Sequence, residues 1–263
     1  MTALLFAEWT RLTRTRLWLW GLLAAGGTGA LIGLLALAGP ENFDPPLPAL
    51  HTAQGTHALV GLLGVTVFVP ALLGSVAVAS EHRHRTITTT TLYAPRRWTW
   101  LAAKLTVYTG VGLAYGLLAT AVTGGALFAV AAAKGLTLGL PAAAVAGMLG
   151  RIAVAMAVYT LLGVAVGALL RNQVAALVVV GAYFYFVETL LMVLPGVREL
   201  YPYLPGGATA ALTGFTYLTD AVATQTGQAV THLLPAPVGA AVLVAYALLA
   251  AALAIAVPLR RDI

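Results

Sequence analysis

Apolar runs of about twenty residues, each closed by a short polar or basic group, recur along the whole chain. A helix rises 1.5 Å per residue, so roughly 20 apolar residues cross the hydrocarbon of a bilayer. Six runs meet that length: 17–38, 58–79, 105–133, 152–170, 174–194 and 238–257. None carries a charge except the fifth, which holds Glu188. The pattern predicts an all-α integral membrane protein with six transmembrane helices, organised as one domain over 1–263. The first run follows Arg11, Arg14 and Arg16 and ends in Ala36-Leu37-Ala38, which superficially resembles a signal peptide. Such a peptide has an apolar stretch of only about 7–15 residues, so the run is read as a retained anchor.

The shorter segments carry their own expectations. Leu5, Trp9 and Leu12 fall at helical spacing with Glu8, Arg11 and Thr15 between them, which predicts an amphipathic interfacial helix over 1–16. The plainer alternative is a basic tail that only sets topology. Residues 141–150 are apolar but too short to span, and Arg151 follows. They are read as an interfacial segment with Arg151 at the outer headgroups, in preference to a long, tilted fourth helix. The longest outer connection, 195–237, mixes Tyr201, Tyr203 and Tyr217 with prolines and is expected to fold back onto the membrane surface. Gly29-x-x-x-Gly33, Gly112-x-x-x-Gly116 and Gly163-x-x-x-Gly167 suit close helix packing in lipid and are read as packing, not as a dimer interface. No internal repeat is visible.

Composition sharpens the class. With 60% hydrophobic and 8% charged residues, against about 25% charged in a soluble domain, a water-soluble globule is excluded. A mean hydropathy of +0.93 excludes disorder as well. The net charge of +6 does not imply nucleic acid, because the basic residues sit in short groups between apolar runs and not on one polar face. Membrane lipids are the partner this distribution fits. Arg11, Arg14, Arg16, Arg83, Arg85, Arg96, Arg97, Lys104, Arg171, Arg260 and Arg261 fall on one side of a six-span topology. Only Lys134, Arg151 and Arg198 fall on the other, with Glu41, Asp44, Glu199 and Asp220. Basic loops stay inside, so both termini are expected in the cytoplasm.

The chemistry a sequence can announce is sparse here. Neither Lys104 nor Lys134 lies in a phosphate-binding loop, so ATP hydrolysis by this chain alone is excluded. With no cysteine, thiolate chemistry and disulfides are excluded too. His82 and His84 diverge on a helix and lack a third ligand besides Glu81, and no nucleophile–base–orienter set exists. No catalytic, cofactor-binding or metal residue is therefore assigned. Glu188 is the exception within the apolar runs: a carboxylate in a span is costly and usually faces protein or water. It follows Tyr183-Phe184-Tyr185-Phe186, so Glu188, Tyr183 and Tyr185 are the candidates for a translocation path. The bland alternative is that Glu188 reaches the outer headgroups.

The richest stretch is 81–104, which reads Glu81-His-Arg83-His-Arg85-Thr86-Ile87, then Thr88 to Thr91, then Leu92-Tyr-Ala-Pro95-Arg96-Arg97, and ends at Lys104. An acid leaving the membrane, basic residues, a Thr and an apolar position, then Pro-Arg-Arg and a Lys resemble the signature of type 2 ATP-binding-cassette (ABC) permeases. The resemblance extends to the basic amphipathic start, the six spans, the polar turn Leu170-Arg171-Asn172 and the long outer connection. The threonine run departs from the family pattern. The resemblance implies that 81–97 is a cytoplasmic coupling helix, with Glu81, Arg83, Arg85, Thr86, Ile87, Leu92, Pro95, Arg96 and Arg97 facing a separate ATPase subunit. It further implies a dimer with a second or related permease, ATP and Mg held by the ATPase, a bacterial inner membrane and efflux of a drug, peptide or lipid-like amphiphile. The other classes are an ion-gradient-driven secondary transporter and a non-transporting membrane subunit or immunity protein.

Overall fold

The structure, a computed structural model, describes residues 2–44, 46–83, 97–170, 172–194, 196–227 and 232–260. Among them there is no strand. The helices are α1 (Thr2–Arg14), α2 (Leu17–Ala38), α3 (Ala53–Val65), α4 (Phe68–Arg83), α5 (Arg97–Ala133) and α6 (Ala142–Leu170). They continue with α7 (Gln173–Ala182), α8 (Glu188–Val193), α9 (Pro205–Thr213), α10 (Tyr217–Thr226) and α11 (Ala236–Arg260). Five stretches are long and apolar enough to cross a membrane: Leu17–Ala38, Ala53–Ser80, Thr99–Ala133, Ala142–Leu170 and Ala236–Ala254. The chain is an all-α, multi-pass membrane protein. Leu23, Leu34, Val174, Val178, Leu248 and Leu249 are each more than 60% exposed or close to it, an apolar surface that suits lipid and not water.

The centre of the bundle is α6. Residues around its whole circumference, from Val145 to Ala168, are buried, and α4, α5, α7, α9 and α11 all pack on it. A helix apolar on every face belongs inside. Glycine makes the approach possible. Gly163 and Gly167 of α6 rest on the backbone of Ala71 and Ser75 in α4, and Gly112 and Gly116 of α5 rest on Thr160 and Ala153 of α6. Gly29 and Gly33 of α2 meet Ala119 and Ala126 of α5. All three Gly-x-x-x-Gly motifs are thus used within the chain, where small residues let backbones come close.

Three expectations from the apolar pattern are corrected. The run 58–79 is not one helix: it breaks at Thr66–Val67 between α3 and α4. Pro70 has no N–H for the Thr66 carbonyl, and its ring crowds that carbonyl, so the α ladder cannot continue. Tighter bonds close the break, from Thr66 N–H to Leu63 O at 3.0 Å and from Val69 N–H to Thr66 O at 3.0 Å. Residues 141–150 are not an interfacial segment. They lead into α6, which starts at Ala142, because Ala142-Ala143-Ala144 is strong helix-forming sequence directly behind Pro141. Finally, 195–237 does not simply lie back on a surface. Every residue of α9 except Gly206 is buried, and the helix packs against α3, α6 and α11. Its sequence, Pro205-Gly-Gly-Ala-Thr-Ala-Ala, is small enough to insert there.

The run 174–194 keeps a helical backbone as far as Val193 but changes its winding. Between α7 and α8, Tyr183–Val187 forms a π turn, closed by the Glu188 N–H donating to the Tyr183 carbonyl. At its start, the Asn172 side chain accepts from the N–H of Val174 (2.9 Å) and Ala175 (3.2 Å), an N-cap that explains the polar turn after α6.

Candidate functional site

Among the described residues, two gatherings of polar groups bear on the expected sites. The first flanks the segment expected to couple to an ATPase. Arg85, Thr86, Ile87, the threonine run 88–91, Leu92, Pro95 and Arg96 lie outside the described residues. Glu81 and Arg83 belong to the last turn of α4, and Arg97 opens α5. Two turns further along α5, Lys104 is fully buried, with Nζ 2.7 Å from Glu8 Oε2 on α1. Arg11, one turn after Glu8, bonds the other carboxylate oxygen at 2.9 Å. Trp100 and Tyr108, four residues before and after Lys104, hold their rings 5.5 Å from its ammonium. These i±4 positions share a helix face, and aromatic faces attract a cation.

This arrangement shows which side of α1 meets the rest of the protein. Leu12 is buried, but the residue buried one turn before it is Glu8, while Trp9 and Phe6 are 55% and 72% exposed. The docking face is chosen by the ion pair, since a lysine buried on α5 needs a carboxylate more than an indole. The pair joins residues 96 apart in sequence, and no local pattern announces it.

The second place surrounds Glu188. Its side chain is 5% exposed, so it is held inside the protein and does not reach outward to headgroups. One carboxylate oxygen accepts from the Gly206 N–H at 3.0 Å, and the Tyr183 hydroxyl donates to the carboxylate. Gly206 is the second residue of α9, so the acid caps the N-terminus of this buried helix and meets the positive end of its dipole. A Cβ at Gly206 would overlap that carboxylate. Gly206→Ala is therefore expected to displace Glu188 and to cost about 1–3 kcal/mol. Thermal unfolding checks this, and an unchanged midpoint would show that the acid does not hold α9. Of the three residues proposed for a path, Glu188 and Tyr183 are brought together; Tyr185 lies in the same π turn.

A cavity of about 120 Å³ opens beside Glu188, lined by both helix irregularities: Val67 and Phe68 at the α3–α4 break, and Phe184 of the π turn. Tyr159 of α6 stands against Phe184 with ring centroids 5.0 Å apart. Thr209 Oγ1 lies 2.9 Å from the Tyr159 hydroxyl and 2.8 Å from the Pro205 carbonyl. Its single proton can serve only one of them, so when Thr209 donates to Pro205 it accepts from Tyr159. Tyr201 also lines the cavity. Burial pushes its phenol up, the Glu188 carboxylate adds to the effect, and the hydroxyl stays neutral. Phe215 reaches the cavity because Gly214, at φ 73°, ends α9 in a left-handed turn closed from Phe215 N–H to Ala210 O. Its ring occupies the place of a Cβ on Gly61 of α3. Prolines, glycines and aromatics scattered over 61–215 thus build one site that sequence spacing does not display.

The basic residues on the expected outer side have local partners. Lys134 Nζ bonds the Ala36 carbonyl (3.1 Å) at the end of α2, and Arg151 Nη1 bonds the Leu212 carbonyl (3.3 Å) near the end of α9. Cations at helix C-termini satisfy free carbonyls and meet the negative end of the dipole. Among the described residues, no three His, Asp or Glu side chains gather to hold a metal ion. No family model and no curated protein matches this chain.

Proposed function

We propose that this chain is the membrane-spanning permease subunit of an ATP-driven ABC exporter, working with a separate ATPase subunit in a bacterial inner membrane. In this reading 174–194, with its π turn, is the fifth of six spans, α1 lies at the cytoplasmic interface, and both termini are cytoplasmic. The functional unit is a dimer with a second copy or a related permease. ATP and Mg belong to the ATPase, and the cargo is an amphiphile such as a drug, peptide or lipid-like molecule.

The observation that supports this most is the buried ion pair that ties α5 to α1. A subunit without ATPase chemistry must be moved by a partner through a stiff protrusion. Here the segment joins two long helices, one of them pinned to α1 by the buried Glu8–Lys104 pair. A push delivered at the start of α5 would therefore reach α1 as well. The motif from Glu81 to Arg97 adds the family resemblance.

The test is a pull-down with the tagged chain, which should bring down an ATPase. Glu81→Lys should weaken that association by about two orders of magnitude and abolish transport, while membrane insertion is kept. If this variant still transports and retains its ATPase, the basic segment sets topology only.

The cavity at Glu188 favours a second reading, a secondary transporter. Such proteins place ionisable groups beside interrupted helices within the membrane, and the α3–α4 break and the π turn both border this acid. Transport in vesicles driven by an ion gradient without ATP would select that reading over the first.

A further inference from the structure

The cavity beside Glu188 has five aromatic residues and one acid in its wall. Phe68 comes from α4, Tyr159 from α6, Phe184 from the π turn, and Tyr201 and Phe215 from the connection on either side of α9. Glu188 is more than nine-tenths buried, and among the described residues no lysine or arginine pairs with it. Its hydrogen bonds come from two neutral donors, the Gly206 amide and the Tyr183 hydroxyl.

An unpaired buried carboxylate is costly, and ring faces carry negative potential, so acid and rings together favour a cation and disfavour an anion. The kind of cation follows from what the wall lacks. Calcium requires about six to eight oxygen ligands and magnesium near-octahedral oxygen coordination. Here one carboxylate already engaged by two donors is accompanied by three threonines, of which Thr209 and Thr213 have their hydroxyls on backbone carbonyls, and otherwise mainly by carbon surface. An ammonium bearing methyl groups has the opposite needs, since its diffuse charge rests on aromatic faces and its weak hydration is easily given up. At about 120 Å³ the cavity has room for one small organic ion.

We propose that this cavity binds a small methylated ammonium ion, with Glu188 as its counter-charge and the rings of Phe68, Tyr159, Phe184, Tyr201 and Phe215 as its walls. The assignment deepens the reading of Glu188 as part of a transport path and rests on that reading only for what the binding is used for. Binding is measured on the purified chain without any ATPase, so a failed pull-down and a failed titration are separate results.

The experiment titrates detergent-purified protein with choline and with 3,3-dimethylbutan-1-ol, its uncharged carbon isostere, by calorimetry. Choline should bind at least about tenfold more tightly than the alcohol. Glu188→Gln should erase that preference, and Phe184→Leu should weaken choline by about threefold or more while leaving the alcohol nearly unchanged. If Glu188→Gln fails to fold, the comparison of the two ligands on the unaltered protein decides by itself. Equal affinity for choline and the alcohol, or no choline binding at tens of millimolar, overturns the proposal. Displacement of choline by an equal concentration of potassium overturns it as well, because the site would then be a simple inorganic ion site.

Discussion

Lys104→Met, made alone, should destabilise the folded protein by about 3–5 kcal/mol, because it leaves Glu8 buried without its closest cation. The double variant Glu8→Leu with Lys104→Met should recover most of that loss. Two apolar side chains of similar size do not carry the cost of removing two charges from water, and replacing a buried pair is often neutral. Thermal unfolding in detergent measures both. The recovery matters more than the loss, since any poorly tolerated core change lowers stability but only a paired charge is rescued by deleting its partner. Equal instability of the single and double variants would show that Lys104 acts through its contacts with Trp100 and Tyr108 and not through Glu8.

Gly163→Val should have an effect of the same order, about 3 kcal/mol or more, for a different reason. A Cβ at Gly163 would meet the backbone of Ala71, which has no rotamer to move aside. Overpacking costs most where the obstacle is main chain, so α4 must leave α6 at its tightest contact. Gly125→Ala is the control. Nothing lies within 4 Å of the added carbon, and alanine is the better helix former, so stability should hold or rise slightly. Matching losses in both variants would mean that glycine content, and not the α4–α6 contact, sets the stability.

These two sites mark what the amino-acid pattern could disclose. Apolar length is a property of consecutive residues, so α2 is found at Leu17–Ala38 where the run 17–38 predicts it. Small residues every fourth position also reveal a packing face, though not its partner. The break at Thr66–Val67 had a visible signal in Pro70, which an apolar average hides. Burial of α9 had a weaker one, a short segment of Gly and Ala that could pack tightly. The Glu8–Lys104 pair had none, and of the aromatic residues around the cavity only Phe184 stood in the run beside Glu188, because the others come from distant parts of the chain. For Glu188 the cost of a charge in lipid shows that a partner must exist. Only the fold reveals that this partner is the start of a helix 18 residues later.

The π turn has a consequence in genetic terms. Twelve residues separate Ala176 from Glu188, which in an unbroken α-helix is three turns and about 120° more. That rotation would turn the acid away from the face that buries Ala176 and Val180. A π turn absorbs one residue beyond an α turn and so takes back about 100°, which places Ala176, Val180, Glu188 and Met192 all in the interior. Loss of one codon between those of Tyr183 and Glu188 would let the helix run straight with the acid still inward, although Tyr183 would then stand four residues from it and not five. Most substitutions of Phe186, which is 75% exposed, would leave that facing untouched. The inward direction of this carboxylate thus depends on the π turn absorbing the extra residue, and loss of one residue outside the cavity lining changes the local winding without changing that direction.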